Sequence, residues 1–315
     1  MARFVQYTEF GGPDVLALVE GPVPSAGEGQ VVVETRAIGV NPIDGKLRSG
    51  TRPSGPITTP RIPGSDAAGV VVEVGPGVEG WQVGDEVVVS TGGGTYATHA
   101  VVPAADLTRK PAALSWAQAA GLGIPAGTAY QSLRSLGVEP GMSVLVHAAS
   151  GSVGQAVVQF ARELGATVIG TASPANHDRL RQLGAIPVAY GEGLVERVRA
   201  ILPDGVDRAV DGAGTDEAIE ASLELTGDPQ HVATLVRGAD APKWGIQAYR
   251  GGSPHPLTPE QEELRAEGIR LAAERAASGI FDVEIGRTLK LADAAEAQRM
   301  LEDGTAPRGK IILLP

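Results

Sequence analysis

One stretch of the chain, residues 143–164, constrains the fold more than any other. Residues 143–146 form a short apolar run, as in a buried strand, and a turn of small residues follows this run. The apolar residues after the turn have the spacing of one helix face: Val153, Ala156, Val157, Phe160, Ala161 and Leu164. Gly165 ends this helix, and residues 167–169 begin a second strand. The strand–helix–strand order predicts a parallel sheet.

The turn in this stretch has the pattern A-x-G-x-x-G, with Ala149 in the first glycine position. Small residues there let a pyrophosphate approach the N–H groups at the start of a helix, where the helix dipole favours an anion. Glycine turns also occur without a ligand, so the pattern alone leaves a plain turn open. The flanking strand and amphipathic helix favour dinucleotide binding. The turn residues assigned to the cofactor are Ala149, Ser150, Gly151, Ser152, Val153 and Gly154, of which Gly154 also lets the helix pack close to the strand.

The chain before residue 122 has a different pattern, which predicts a small barrel-like domain. Short β-like runs bounded by glycine and proline occur at residues 31–33, 70–72, 87–89 and 96–102. Beyond residue 170 we predict a helix that starts at Ser173 and Pro174, strands at 207–210, 231–236, 281–291 and 310–314, and helices after Pro259 and at 293–302. A length of 315 residues is about twice that of a typical domain, so two domains are expected.

The end of the second predicted strand indicates which dinucleotide could bind. An acidic residue there would hydrogen-bond the ribose 2′-hydroxyl of NAD, and residues 170–176 contain none. A 2′-phosphate is therefore tolerated, which favours NADPH. The side chains that could donate to this phosphate are Ser173, Asn176, His177 and Arg179. The alternative is that Ser173 only caps its helix and that Arg179 is solvated.

Composition excludes several other classes of protein. The chain has no cysteine, which excludes disulfides, cysteine zinc sites, iron–sulfur clusters and thiol nucleophiles. A net charge of −11 repels polyanions, and only 3 Trp, 5 Tyr and 4 Phe are present to stack on bases, so no nucleic-acid partner is expected. No apolar run has the length of a membrane span or of a signal peptide, so we expect a cytoplasmic protein without a membrane partner.

The sequence contains parts of three catalytic motifs but lacks residues that each of them requires. Residues 304–310 have the G-x-x-x-x-G-K spacing of a phosphate-binding loop, but Ile311 replaces the Ser or Thr that would hold magnesium. The serine-hydrolase elbow fails because Ala148 and Ser152 replace both glycines around Ser150. The five histidines never form the paired pattern of a zinc protease. We therefore expect neither a hydrolase of these classes nor a bound metal.

Several separate blocks of sequence together resemble a known family. Besides the glycine turn, these blocks are residues 39–50, 63–69, 83–87, 126–129 and 308–311. In their order along the chain they resemble the zinc-independent quinone oxidoreductase branch of the medium-chain dehydrogenase/reductase superfamily. The resemblance runs from Arg3 to Leu314.

This resemblance implies an α/β fold class, a Rossmann doubly wound parallel sheet inserted in a GroES-like β-barrel domain. The implied domains are residues 1–122 with 263–315 for the GroES-like catalytic part, and 123–262 for the Rossmann part. The resemblance also implies cofactor contacts: Asn41 and Thr128 near the nicotinamide, Ser173 and Tyr190 at the 2′-phosphate, and Asp211, Gly212, Ala213 and Lys310 elsewhere along the cofactor.

The implied activity is reduction by NADPH of a quinone or of the activated C=C bond of an α,β-unsaturated carbonyl. Zinc-dependent relatives have a cysteine at the position of Asn41 and a His-Glu pair at Ser65 and Asp66, so a metal-dependent alcohol dehydrogenase is disfavoured. Two alternatives stay open. The chain could be an NADPH-binding redox-sensing or structural module with little turnover, or a reductase that tailors a biosynthetic product.

Two residues are candidates for the catalytic step. Asn41 can orient the nicotinamide or the acceptor, but its neutral amide cannot supply a proton. Some family members have a tyrosine where this chain has Lys46, and the resemblance implies that this tyrosine donates a proton. Lys46 could take that role if it were partly buried, and water is the other source.

The resemblance also implies a homodimer, because relatives pair an edge strand of each Rossmann sheet across a two-fold axis. The alternation of Trp244, Ile246 and Ala248 is the candidate edge strand. The loops expected to build the acceptor pocket are residues 51–59 and 244–256.

Overall fold

The computed structural model describes residues 1–249 and 255–315. They form two compact units: a first unit of Met1–Ile124 with Ile269–Pro315, and a second unit of Pro125–Gly268. The sequence places these two divisions at residues 122/123 and 262/263. The second division falls inside a single helix, Pro259–Ala277, where no change of sequence pattern could mark it.

Strands and helices of the described residues are numbered in chain order. The strands are β1 (Ala2–Gln6), β2 (Ala17–Gly21), β3 (Gln30–Gly39), β4 (Asp66–Val74), β5 (Glu86–Ser90), β6 (His99–Pro103), β7 (Leu107–Arg109), β8 (Ser143–His147), β9 (Thr167–Thr171), β10 (Ile186–Val188), β11 (Arg208–Asp211), β12 (Val232–Thr234), β13 (Gln247–Ala248), β14 (Ile285–Lys290) and β15 (Lys310–Leu314). The α-helices are α1 (Pro42–Ser49), α2 (Trp116–Ala120), α3 (Gly123–Ser135), α4 (Ser152–Glu163), α5 (His177–Leu183), α6 (Leu194–Arg199), α7 (Asp216–Thr226), α8 (Ala241–Trp244), α9 (Pro259–Ala277) and α10 (Ala294–Glu302). Within residues 1–249 and 255–315, no helix is both long enough and apolar enough to cross a bilayer.

The first unit is built around a sheet with the strand order β14-β15-β3-β4-β5-β7, in which β6 also pairs with β3. β15 is the last strand of the chain and pairs antiparallel with β3, so the C-terminal segment returns to the first unit, as the resemblance implies. The core of this unit contains the fully buried side chains of Val31, Val33, Val71 and Val89. Branched side chains suit this position because they pack well on a pleated surface.

The second unit contains a parallel sheet with the order β10-β9-β8-β11-β12-β13. The chain moves outward from β8 to one edge and then returns to add β11, β12 and β13 on the other side. This is the doubly wound arrangement, and it confirms the expected α/β fold class. The order of strands reverses between β8 and β11, and ligands of such sheets bind at the carboxyl ends of the strands at this point.

Several elements expected from sequence differ in extent, and the strands expected at residues 231–236 and 281–291 are shorter, at Val232–Thr234 and Ile285–Lys290. The strand expected at residues 96–102 is confined to β6, because the Tyr96 N–H donates to the Pro63 carbonyl and Ala97 pairs only with Phe4. The helix expected to start at Ser173 instead begins as a 3₁₀ turn over Pro174–Asn176, which leads into α5.

The candidate edge strand is correct in place but wrong in extent. β13 is the last strand of its sheet, yet it contains only Gln247 and Ala248. Trp244 instead ends α8, and Gly245, with a φ of 69°, stops that helix in the left-handed conformation. Residues 250–254, which belong to one of the expected acceptor loops, lie outside the described residues.

Candidate functional site

The glycine turn leaves β8 after His147 and enters α4 at Ser152. Ala148 has a φ of 54°, in the left-handed region that residues with a Cβ rarely adopt. The Ala149 N–H donates to the Thr171 carbonyl at 3.0 Å, which attaches the turn to β9. A Cβ on Gly154 would overlap the Ala148 carbonyl oxygen and lie 2.6 Å from the Ala149 Cα. Gly154 therefore allows α4 to pack against the turn, as the sequence predicts.

His147 is the last residue of β8, and its side chain holds this end of the strand in place by hydrogen bonds. Its Nε2 lies 3.0 Å from the Ser222 hydroxyl and its Nδ1 3.2 Å from the Thr171 hydroxyl. Burial lowers the pKa of His147 to about 4, although Asp211 and Glu217 act in the opposite direction. The imidazole is therefore neutral at neutral pH, and it joins β8 to β9 and α7 by hydrogen bonds.

Gly151 differs from Gly154 because none of the described residues requires a glycine there. Its φ of −73° and ψ of 164° suit any residue, and a Cβ would meet only the Ala148 carbonyl oxygen, at 3.5 Å. As the N-cap of α4 it has no side chain to satisfy the first N–H groups of the helix, which lack intrahelical acceptors. The turn thus presents open space and N–H donors where a pyrophosphate would lie. It fits the expected dinucleotide.

Three of the candidate phosphate-binding residues lie together beside this turn. The Asn176 Nδ2 is 3.3 Å from the Ser150 hydroxyl and 3.2 Å from the Ser173 hydroxyl. The Ser173 side chain makes no capping bond to the 3₁₀ turn that follows it, so the capping alternative is wrong. The three side chains form a neutral, hydroxyl-rich cluster at the end of β9.

Arg179 is buried rather than solvated, with 8% of its surface exposed. Its Nε and Nη2 donate to the Gln155 Oε1 at 2.9 and 2.8 Å, and the Gln155 Nε2 donates to the Ser150 carbonyl at 2.9 Å. Arg179 thus supports the glycine turn through Gln155, a residue that sequence reasoning missed because a glutamine in an amphipathic helix has no distinguishing pattern. The His177 Nε2 donates to the Ala172 carbonyl at 3.2 Å. Contact of either residue with a 2′-phosphate stays a prediction.

Tyr190 lies just beyond β10, and Ser173 lies just beyond β9, so both follow the carboxyl ends of neighbouring strands. Thr171 pairs with Val188 in the parallel register, so Ser173 and Tyr190 each stand two residues past paired positions. Tyr190 is 62% exposed, which is unusual for a large aromatic side chain. Its position suits the predicted contact with a 2′-phosphate, which no observation tests directly.

The loop after β11 meets the glycine turn because Asp211 pairs with His147 across the sheet. The Asp211 carboxylate is fully buried, and its Oδ1 accepts from the Ala213 and Gly214 N–H groups at 2.9 and 2.8 Å. Its Oδ2 accepts from the Thr234 hydroxyl at 2.8 Å. A Cβ on Gly212 would lie 3.1 Å from the His147 carbonyl oxygen. The Asp211 side chain thus shapes the loop by binding the Ala213 N–H, and contact of this loop with the cofactor stays a prediction.

Thr128 lies on α3 and is held by an arginine that sequence analysis missed. The Arg265 Nη1 donates to the Thr128 hydroxyl at 2.9 Å, and only 4% of Arg265 is exposed. Arg265 belongs to α9, whose many charged residues are typical of a solvent-exposed helix face. Its burial could not be recognised because the sequence offers no contrast with the exposed arginines around it.

The first unit brings together Asn41, Asp66 and Lys310, all of them buried. The Lys310 Nζ donates to the Asn41 Oδ1 and lies 3.2 Å from the Asp66 Oδ2. The Asn41 Nδ2 donates to the Asp66 Oδ2 at 2.9 Å, so the orientation of the amide is determined at both ends. The Ile124 N–H also donates to the Asp66 carboxylate, at 2.9 Å. Lys310 therefore faces Asn41 and Asp66, and its expected contact with the cofactor stays a prediction.

These residues do not fit the zinc ion that some members of the superfamily bind. Zinc sites use sulfur, imidazole or carboxylate ligands, whereas the corresponding positions here hold an amide, Asn41, and a hydroxyl, Ser65. The remaining carboxylate, Asp66, already has an ammonium beside it. Across residues 1–249 and 255–315, no group of three or more His, Asp or Glu side chains is arranged to hold a metal ion.

Behind Asn41 lies a second buried carboxylate, Asp44, which sequence analysis passed over. The Asp44 Oδ2 accepts from the Asn41 N–H at 2.9 Å and from the Tyr96 hydroxyl at 3.0 Å, whereas its Oδ1 has no partner among the described residues. Burial raises the pKa of Asp44 to about 7, and the nearby charge of Asp66 adds to this effect while Lys310 opposes it. An acidic residue three positions after Asn41 is the helix-start pattern that could have revealed this contact.

Lys46, the candidate proton donor, lies on α1 and is half-buried. It lines a cavity of the first unit together with Asn41. The two candidate catalytic residues therefore share one cavity. The Lys46 ammonium has no ion pair or hydrogen bond with any described residue. A role for Lys46 in proton transfer stays a prediction.

Comparison with known proteins identifies the family. Residues 27–112 match the alcohol dehydrogenase GroES-like domain, and residues 183–313 match the zinc-binding dehydrogenase domain. The quinone oxidoreductase of Homo sapiens is 32% identical over 333 aligned positions, which cover 100% of this chain and 98% of that protein. The quinone oxidoreductase of Salmonella typhimurium is 34% identical over 100% of both. The chain belongs to the quinone oxidoreductase branch of the medium-chain dehydrogenase/reductase superfamily.

Solved structures of the branch agree with this chain over its whole length. Escherichia coli quinone oxidoreductase, solved in complex with NADPH, has a TM-score of 0.84 at 29% identity and covers 100% of both chains. A mycobacterial protein solved in complex with NADPH has the same TM-score of 0.84 at 31% identity, again over 100% of both chains. The GroES-like and Rossmann parts are therefore both those of the quinone oxidoreductase branch.

The two glycines of the turn give a matched test of the cofactor site. We expect Gly151→Val to weaken NADPH binding at least tenfold, because the new side chain fills the open space before α4, and to change the free energy of unfolding by less than about 1 kcal/mol. Gly154→Ala should instead lower that free energy by about 2–3 kcal/mol, because backbone must move. Fluorescence titration and urea unfolding measure both effects. A Gly151→Val variant that binds NADPH normally would contradict the assignment.

Asp44 predicts an unusual pH dependence of stability. Its folded pKa of about 7 lies above the unfolded value of 3.8, so the folded protein retains a proton that the unfolded chain releases. The contribution of Asp44 to stability therefore decreases as the pH rises from about 4 to 7. Compared with the non-titrating variant Asp44→Asn, wild type should lose on the order of 3 kcal/mol of unfolding free energy between about pH 4 and pH 8. If wild type and Asp44→Asn had the same pH dependence in urea unfolding, the predicted effect of Asp44 would be wrong.

Proposed function

We propose that this protein is an NADPH-dependent oxidoreductase that transfers a hydride, without a metal, to a quinone or to the activated C=C bond of an α,β-unsaturated carbonyl. The glycine turn carries this proposal, because the space at Gly151 is open although packing does not require a glycine there. Quinone oxidoreductases similar over their whole length, of which the Escherichia coli protein was solved with NADPH, support it.

The cofactor would be held by residues of the second unit. The backbone N–H groups of Ser152 and Val153 suit the pyrophosphate, and the cluster of Ser150, Ser173 and Asn176 suits the 2′-phosphate. When bound, NADPH supplies a hydride, which with one further proton converts a quinone to a hydroquinone or saturates the C=C bond as NADP⁺ forms. The exposed phenol of Tyr190 is a further donor at the edge of this site.

Asn41 would act as a hydrogen-bond acceptor rather than as a donor. Its two amide hydrogens face Asp66, at 2.9 Å, and the Gly39 carbonyl, at 3.4 Å. Its Oδ1 accepts from Lys310 and has a second lone pair, which suits the NH₂ of a nicotinamide carboxamide. Lys310 is then a positioning residue, because it fixes the amide without contacting the cofactor.

Water is the proton source that this arrangement favours. Asn41 has no titrating proton, and Asp44 is fully buried behind it. Lys46 is only half-buried, so solvent can reach the same cavity. A solvent proton is sufficient for a quinone, because the reduced oxygen is readily protonated in water.

The decisive experiment measures kcat/KM for naphthoquinone with NADPH and with NADH, in buffer that contains EDTA. We expect a preference for NADPH of on the order of ten- to hundredfold, because one charge-assisted hydrogen bond contributes roughly 1.5–3 kcal/mol. Ser173→Asp should lower this preference at least tenfold by placing a carboxylate beside the 2′-phosphate. Equal efficiency with both cofactors, or activity lost to EDTA and restored by zinc, would contradict the proposal.

We also propose a homodimer that forms through the outer edge of β13. The Tyr249 N–H donates to the Thr234 carbonyl of β12, so the Ala248 N–H, one residue earlier, points away from β12. An exposed strand edge of this kind readily pairs with a second chain. Wild type should have the mass of a dimer in light scattering at micromolar concentration, and Ala248→Pro, which removes the outward N–H, should be a monomer. A monomeric wild type, or a variant that stays fully dimeric, would argue against this edge.

A further inference from the structure

The first unit contains a cavity of about 470 Å³ whose walls include α1, α10 and the segment Gly11–Gly12. This volume lies within the range of small-molecule sites. Asn41 and Lys46 both line it, together with Arg48, Gln298 and Glu302. The cavity therefore lies beside the residue that we propose contacts the nicotinamide.

One donor at this cavity has no partner. The Lys46 ammonium lines the cavity without an ion pair or a hydrogen bond in the described part of the chain. Gln298 also borders the cavity, but its Oε1 accepts from the Arg48 Nε at 2.7 Å, and its Nε2 is buried beside Tyr96 rather than open to the cavity. A cationic donor beside a cavity is best satisfied by acceptor atoms of a ligand.

The charges at the cavity leave one cation unopposed. Arg48 forms an ion pair with Glu302 and also donates to the Gly11 carbonyl, so these two charges offset each other. Behind Asn41, Lys310 and Asp66 offset each other in the same way. The Lys46 ammonium remains. In a chain with a net charge of −11, a half-buried lysine without a carboxylate beside it is conspicuous.

We infer that the electron acceptor of this enzyme carries an acidic group, whose oxygens are bound by the Lys46 ammonium. This inference rests on the proposed function, because it assigns the cavity to the molecule that receives the hydride. The acidic group takes no part in the redox step, in which the acceptor gains the hydride and one solvent proton. Its charge instead selects the acceptor, since only an anion both accepts a hydrogen bond from Lys46 and neutralises its charge.

The test compares naphthoquinone with naphthoquinone sulfonate in wild type and in variants, using the ratio of the two kcat/KM values. Comparing this ratio between variants cancels the intrinsic reactivity of the two quinones. We expect Lys46→Met to lower the sulfonate-to-parent ratio on the order of tenfold, mainly through the KM of the sulfonate, and Lys46→Arg to preserve it.

Lys290→Met is the matched control, because it removes the same charge from an exposed site of the first unit. The ratio in this variant should equal that of wild type, and raising the salt concentration should lower the ratio in wild type but not in Lys46→Met. A ratio unchanged by Lys46→Met, or lowered equally by Lys290→Met, would overturn the inference.

The failure of the proposed function would look different. If neither quinone oxidises NADPH, the proposed hydride transfer is wrong, and calorimetric titration of naphthoquinone sulfonate into the protein then decides the inference. Weaker binding to Lys46→Met than to wild type supports an anion site in the cavity. Equal binding to both proteins, or no binding to wild type, overturns it.

Discussion

A single buried carboxylate, Asp66, organises the first unit. A charge without solvent is tolerated only when it is paired and hydrogen-bonded, because its desolvation costs several kcal/mol. Asp66 obtains its partners from distant parts of the chain: Lys310 of β15, Asn41 after β3 and the Ile124 N–H of α3. The last strand is therefore needed for the geometry around Asn41 as well as for the sheet. In zinc-dependent relatives a metal supplies positive charge in this region, whereas here the Lys310 ammonium does so.

The second unit has a different physical requirement, because its glycine turn must let an anion approach the backbone closely. Gly154 is required because α4 packs directly against the turn, whereas Gly151 leaves space that the protein itself does not use. Behind the turn, Arg179 acts through Gln155, and the neutral His147 holds the end of β8. These buried polar groups are hydrogen-bonded to the turn or to its neighbouring strands. They make the start of α4 rigid, which lowers the entropic cost of binding there.

The first unit adds a cavity with one unopposed cation. The charge of Arg48 is offset by Glu302, and Arg48 also donates to Gln298 and to the Gly11 carbonyl. The Lys46 ammonium has no such partner among the described residues and lines the cavity. At the position where the resemblance implies a tyrosine in some family members, Lys46 places a cation in the cavity instead of a neutral hydroxyl. This difference concerns which acceptor is chosen rather than how the hydride is transferred.

Patterns of neighbouring residues were sufficient to determine several features of this protein from sequence. They include the glycine turn, the parallel sheet, the lack of an acid after β9 and the return of the C-terminal strand, the last of these through resemblance to a family. The first three are local, because they depend on the identity and spacing of neighbouring residues. The fourth is shared across the family. Only the tertiary structure decided which polar groups are free. Arg179 and Lys310 look like exposed ligand-binding cations in sequence, yet both are buried and bonded to Gln155 and Asn41, whereas Lys46 looks like an ordinary surface lysine and is unpaired beside a cavity. The physical reason is that a buried charge needs partners from whichever segments pack against it, and those segments are up to 269 residues away in the chain.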